Sequence, residues 1–415
     1  MNEAPPDARP LLLLVGSGRN AHYRGWSLQS VSQQFRLWLL SRRPATWELP
    51  YIVGQSLVEA LEPGAALEAA LRLSERLPIT GVLCYDEMRI IAAARLAEAL
   101  HLPIASEIAI RACRDKYRMR QQMGQVKSIP VANVESAREA ADEIGYPVIL
   151  KPRSLAASEG VVKVDHPGAL AAAFLFAQAA HASFPELRVE DRGVLVEEYL
   201  DGPEITVDSV VWRGEVRPAF ISHKRQDILP TFEETGHLVV AEDPLLGDAR
   251  LLEMVQTAHS AAGFDNGVTH TEVRLTPGGP RLVELNARLG GDLITYVGLL
   301  ATGIDLALAA ATIAAGNLPD ITPCRRGAAA VRYLYPPCDM ILDEVRIAVE
   351  KLPREIWMAK ALAQRGAVLR RPPRSFVAGR AALGFVVAVD AQSCERAALA
   401  LSSAVEIRGT PVPEG

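Results

Sequence analysis

Three features of the sequence predict a multidomain chain of mixed α/β and α+β class. The first 113 residues alternate short apolar runs with helix-length segments. A strand ending on Lys151 runs into a loop of small residues, and a hairpin near position 278 carries glutamates, an asparagine and arginines in alternation. At 415 residues the chain is too long for one ordinary core, so two to three domains are expected.

The elements follow in order. Leu11–Val15 is a short apolar run opening into Gly16-Ser17-Gly18, the pattern of a buried parallel strand and its turn. Gly81–Tyr85 reads as a second such strand, and Ile90–Leu100 as the helix after it. A doubly wound α/β domain over 1–113 accounts for both. The glycine turn lacks the third glycine of a dinucleotide fingerprint and is equally a tight strand-to-helix turn. Asp115–Met123 is a charged helix, and Glu135–Ile144 a second one leading into the strand Tyr146–Pro152. Beyond Lys151 come Ser154, Ala156, Ala157, Ser158 and Gly160, small residues whose backbone N–H groups can close over phosphate oxygens. Val194–Leu200 is a strand stopped by Asp201-Gly202-Pro203, and Ile205–Trp212 alternates as an antiparallel strand does. The apolar stretch Val297–Ala315 carries Asp305 and ends at Gly316-Asn317, which predicts a buried helix and no membrane span. Ala381–Val389 is a late strand, followed by a helix from Cys394.

The hairpin is the most informative segment. Strands around His270–Leu275 and Arg281–Arg288 flank the turn Thr276–Pro280. Side chains alternate, so His270, Glu272 and Arg274 share one face of the first strand, and Glu284, Asn286 and Arg288 one face of the second. Folding the hairpin brings both sets together, and carboxylate and amide oxygens are the hard ligands magnesium prefers. The same alternation also marks the wet face of an ordinary hairpin. Upstream, Lys116 at a helix start and Lys151 at a strand end are placed to meet phosphate, though either can be a solvated surface charge. Glu197, Glu198 and Glu204 bracket a strand end, where a carboxylate can accept two ribose hydroxyls.

The order of these pieces resembles the ATP-grasp superfamily over essentially the whole chain. They are Asp115-Lys116, the VILKP of Val148–Pro152, the small-residue loop, the VEEYLDGPE of Val196–Glu204, the THTEVR of Thr269–Arg274 and the LVELNARLGGD of Leu282–Asp292. Within the superfamily the chain is most similar to L-amino-acid (dipeptide) ligases of the bacilysin-pathway type. The segments Leu150–Val161 and Phe232–Val239, and the pair His270–Glu272 and Leu282–Arg288, carry that likeness.

The resemblance implies a pre-ATP-grasp domain at 1–113, an ATP-grasp domain at 114–324 (114–193 with the phosphate loop, 194–324 with the metal site) and a small lid-like α+β domain at 325–415. It implies a carboxylate–amine ligase working through an acyl phosphate and releasing ADP and phosphate. Lys116, Lys151 and Ser158 are expected on the ATP phosphates, Glu197 and Leu200 at the adenine, and Glu204 at the ribose. Glu272 and Glu284, assisted by Asn286, are expected to hold magnesium, with two ions bridged and manganese as a substitute. Arg288 is expected to stabilise the acyl phosphate with His237 beside it, and Glu87, Asp292 and His270 to face the amino-acid substrate. The phosphate loop departs from the family in having one glycine, Gly160, and an acidic Glu159. Asp292 stands where the bacilysin-type enzyme has an aromatic residue. The resemblance leaves two rivals, a carboxylase-type enzyme activating bicarbonate and a non-catalytic nucleotide-binding module.

Composition narrows the partners. A net charge of −5 argues against a nucleic-acid-binding body. The polar, acidic, Pro-rich start is unlike a secretory signal, and the five cysteines form no CxxC, which predicts reduced thiols in a cytoplasm. No HExxH spacing supports zinc. Small amino acids, no nucleic acid, no membrane and a homodimer are the expected associations.

Overall fold

The computed structural model describes residues 7–412 apart from 19, 60, 62, 156–157, 184–191, 227 and 229–230. Ala156 and Ala157 of the expected phosphate loop therefore lie outside the described residues.

Four sheets organise the chain. A parallel sheet in the order Gly54–Leu57, Arg36–Ser41, Leu11–Val15, Ile79–Leu83 forms the N-terminal part. Leu11 to Val15 are all fully buried, as a parallel strand covered on both faces requires. A four-stranded antiparallel sheet sets Ser128–Val131, Val194–Glu198, Val148–Pro152 and Val162–Val164 side by side. The largest sheet runs Gly279–Asn286, Asn266–Thr276, Glu204–Trp212, Glu215–Arg225, Gly236–Val240, Ala328–Leu334, Ala382–Ala388, Ile356–Ala361. It continues through position 324, so strands on either side of that residue share one ladder. A three-stranded sheet of Val368–Leu369, Met340–Ile347 and Val405–Pro411 closes the C-terminal part.

The expected elements are recovered with ends shifted by a residue or two at most positions. Glu204–Trp212 pairs antiparallel with both of its neighbours. The expected single helix over Val297–Ala315 is instead two helices, Ile294–Thr302 and Leu306–Ala314, bent by 104°. Gly303 ends the first with φ +81°, and the Asp305 side chain caps the second by accepting from the Leu308 N–H at 3.0 Å. The break lets the second helix pack against both Ile79–Leu83 and Asn266–Thr276, joining the N-terminal sheet to the large one through a common core. No single helix among the described residues is long and apolar enough to cross a membrane.

Candidate active site

Loops after the N-terminal parallel strands and residues of the other three sheets border a cavity of about 1140 Å³. Lys116, Lys151, Ser158, Glu197, Leu200, Glu204, His270, Glu272, Glu284, Arg288, Glu87 and Asp292 all line it. Asn286 and His237 are buried one layer behind. Residues spread over two hundred positions thus converge on one space.

The hairpin register explains half of the convergence. A bulge at Val283 sets Glu272 opposite Glu284 and His270 opposite Asn286. Arg274 lies directly opposite Glu204 in the ladder with Glu204–Trp212 and reaches it at 2.9 Å. Lys116, on the first turn of Lys116–Met123, reaches Glu284 Oε1 at 2.8 Å and donates to the Leu155 carbonyl at 2.5 Å. It is buried, not a solvated surface charge, and it links the turn after Lys151 to the hairpin carboxylate.

Lys151 is likewise buried, with its ammonium 2.6 Å from Glu197 Oε2. Arg120 holds the same carboxylate from the other side at 3.1 Å, and Ser128 donates to it at 3.0 Å. Although burial pushes Glu197 upward, these cations hold it at about 2. Lys151 is pushed down to about 8, chiefly by burial and also by Arg120 and Lys116, against the pull of Glu197.

A third lysine with a buried side chain, Lys224, was not singled out by sequence. Lys224 on Glu215–Arg225 lies 2.7 Å from Glu204, 2.7 Å from Glu234 and 3.1 Å from Glu272. Glu272 is also 3.6 Å from His270 Nε2, and the other nitrogen of that ring meets Asp208 at 3.0 Å. Asp208 accepts in turn from Thr206 Oγ1 at 2.7 Å. Burial opposes protonation of His270, yet Asp208 raises it to about 9, so the imidazole is a cation at neutral pH. Gly290 covers this relay closely: a Cβ there falls 2.8 Å from His270 Nδ1 and 2.9 Å from Asp208 Oδ1.

Glu272, Glu284 and Asn286 fit a magnesium ion by their chemistry. All three offer hard oxygen donors, and the two carboxylates are partly open to the cavity at 19% and 14% side-chain exposure.

Arg288 is oriented rather than free. Glu87 accepts from Arg288 Nε at 2.6 Å with one oxygen and from Arg114 Nε at 2.9 Å with the other. Arg288 Nη2 also donates to Asn286 at 3.4 Å. Asp292 does not cap the helix after it; that position is Leu293, with no side-chain cap. Its carboxylate instead accepts from Arg380 Nη2 at 2.6 Å. Arg380 also meets Glu233 at 2.9 Å and Tyr335 Oη at 3.0 Å, with its guanidinium 3.7 Å from the Tyr333 ring centroid. Burial pushes Glu233 up to about 7 despite that partner. His237 Nε2 lies 3.2 Å from Glu234 and 3.9 Å from Asp292; burial lowers its basicity, and these carboxylates more than restore it. Glu234, His237 and Asp292 bring three ligand atoms within 4.8 Å of one another, but Arg380 already occupies the cation position beside Asp292.

Sequence reasoning missed Arg120, Lys224 and Arg380. Lys224 carried little local signal, because it sits in the run His223-Lys224-Arg225 at the end of its strand. Arg380 carried no local signal, being 88 residues from Asp292.

Comparison with known proteins agrees with this geometry. Residues 144–296 match the ATP-grasp domain family. The chain is 30% identical to carnosine synthase 1 of Gallus gallus over 279 residues, covering 62% of this chain and 30% of that protein. It is 28% identical to the alanine–anticapsin ligase of Bacillus subtilis (strain 168) over 245 residues, covering 54% and 52% respectively. It thus spans about half or less of the length of these two relatives. The fold superposes on an L-amino acid ligase from Bacillus licheniformis with a TM-score of 0.80 at 21% identity, covering 97% of this chain and 99% of that one. The chain thus carries an ATP-grasp domain over residues 144–296 and shares the overall fold of the L-amino acid ligase structure.

Proposed function

We propose that the protein is an ATP- and magnesium-dependent ligase that joins an amino-acid carboxylate to an amine through an acyl phosphate. The observation that carries this reading is the register of Glu272 against Glu284 in one cavity with Lys116, Lys151 and Arg288. The names of its relatives, a synthase and a ligase, support it.

In this reading Lys116 and Lys151 hold the phosphate oxygens, while the turn at Ser158 closes over them. The adenine lies against the segment from Glu197 to Leu200, and Glu204 takes the ribose. Glu272, Glu284 and Asn286 would hold magnesium, two ions in our assignment with manganese as a substitute, which would supply positive charge against the transferring phosphoryl group. The donor carboxylate attacks the γ-phosphorus and ADP leaves. The amine lone pair then attacks the acyl carbon, the bond to the phosphate oxygen breaks, and the nitrogen gives up its surplus protons. Arg288, aimed by Glu87, offers a fork to the oxyanion of that step. His237, held by Glu234 and Asp292, and His270 stand at the substrate end. We assign 1–113, 114–324 and 325–415 as working parts, the last covering the cavity through Arg380. We place the protein in the cytoplasm as a homodimer; its five free thiols support the compartment, and sedimentation tests the assembly.

Incubation with pairs of amino acids is expected to release ADP and phosphate together with a product of dipeptide mass. Release of AMP and pyrophosphate removes the acyl-phosphate chemistry. Release of ADP with bicarbonate and no amine favours a carboxylase instead.

ATP binding should also depend on pH through Lys151. Only the ammonium form attracts phosphate, and in the free protein it is lost above about 8. The KM for ATP should therefore be flat from neutrality to that point and then rise, by at most about tenfold per pH unit. Lys151→Arg keeps its charge throughout and should flatten the profile. A rise of equal slope in this variant places the titration elsewhere.

A further inference from the structure

Arg24 is a cation in the cavity wall with no carboxylate of its own. It stands on the first turn of the helix Ala21–Gln34, among cavity-lining residues Asn20, Tyr23 and Tyr85. Its Nη2 donates to the Tyr85 carbonyl at 3.2 Å, and its guanidinium lies 5.7 Å from the Tyr85 ring centroid. Among the described residues no carboxylate comes within ion-pair distance of it. The neighbouring acids are already taken, Asp86 by Arg89 and both oxygens of Glu87 by Arg114 and Arg288. Arg114 and Arg288 thus share one carboxylate while Arg24 has none, and this end of the cavity carries surplus positive charge.

Such a group needs an anion. Burial, reinforced by the charge of Arg288, pushes Arg24 down to about 10, which leaves it protonated but poorly compensated. Every other cation lining the reaction space has a partner: Lys116 has Glu284, Lys151 has Glu197, and Arg288 has Glu87. The phosphates have two lysines, and the acyl group has Arg288. The remaining anion in an amide-forming reaction is one carried by the amine. An α-amino acid carries its carboxylate two bonds from the attacking nitrogen, so the group that reads it must stand beside the one that holds the acyl phosphate. Arg24 is placed there, close enough for Arg288 to perturb it. A planar guanidinium matches a carboxylate fork to fork, which makes the contact selective as well as attractive.

We infer that Arg24 binds the free carboxylate of the acceptor, so that the second substrate is an amino acid and not a simple amine. This assignment rests on the ligase reading above and makes Arg24 a specificity-determining residue for it.

The test compares acceptor amino acids with their C-terminal carboxamides, which keep the amine and lose the charge, at fixed donor and saturating ATP. In the unmodified protein the free acids should be used at about 10- to 100-fold lower KM than the amides. Arg24→Gln should raise the KM for the acids by a similar factor and erase the preference, while Arg24→Lys restores part of it. The KM for ATP serves as the internal reference and should move by less than about twofold. Equal use of acids and amides by the unmodified protein overturns the assignment without help from any variant, and so does an Arg24→Gln protein that keeps the preference. If no amino-acid pair releases ADP, the ligase reading falls and takes this assignment with it; dipeptide formation indifferent to the acceptor carboxylate removes the assignment alone.

Discussion

Glu284→Gln should reduce turnover by at least about 100- to 1,000-fold, and Glu272→Ala should do the same. Each substitution removes one anionic oxygen donor from a patch whose neighbours cannot replace it, because Asn286 is neutral and Glu204 is already held by Lys224 and Arg274. The two variants differ in their structural consequences. Glu284→Gln leaves the buried Lys116 with the Leu155 carbonyl and a neutral amide, so it should also loosen the turn that follows Lys151. Glu272→Ala leaves Lys224 with two carboxylates and should be nearly silent in stability. Measuring ADP release against magnesium concentration separates charge loss from misfolding. A damaged metal site needs more magnesium for half-maximal rate, whereas a protein partly unfolded loses rate at every concentration alike. Near-normal turnover with an unchanged magnesium requirement in either variant places the metal elsewhere.

The sequence made some of this site legible and hid the rest for identifiable reasons. Alternation along each strand was enough to group His270 with Glu272 and Glu284 with Asn286, but counting back from the turn puts Val283 opposite Glu272, and only a bulge at Val283 brings Glu284 there. The strand ending at Lys151 was readable as an apolar run. Pairing between distant charges was not. Glu197 and Glu204 look alike in sequence as acids at strand ends, yet one is held by Arg120 and Lys151 and the other by Lys224 and Arg274. Nothing near Asp292 in sequence marks its partner, because its side chain is drawn to Arg380, 88 residues away. The apolar run after it read as one helix because composition records burial and not direction; only Gly303 and Asp305 mark the bend.

Lys224→Met should be the most destabilising single change at the site, and its cost should depend on pH and magnesium. The side chain is 1% exposed and touches three carboxylates, Glu204, Glu234 and Glu272. Methionine fills similar space without charge, so packing is largely kept and the electrostatic loss is isolated. Removing one partner from a buried ionic cluster typically costs about 3–5 kcal/mol. In the parent, burial tends to raise Glu234 and Glu272, and Lys224 overrides it to hold both below the ordinary carboxylate range. A depressed carboxylate contributes stability above its unfolded value near 4.5, and that stability is lost only when pH falls toward the folded value. Without Lys224 burial prevails and both groups shift upward, so the variant is penalised at neutral pH and relieved as they protonate. The stability gap between parent and variant should therefore be widest near pH 7 and shrink as pH falls through about 5. Magnesium should narrow the gap at pH 7, because a divalent ion at Glu272 and Glu284 returns part of the missing positive charge. Urea unfolding at pH 7 and pH 5, with and without magnesium, measures all four conditions. A gap independent of pH and of the metal assigns Lys224 a packing role only and removes it from the electrostatic frame of the site.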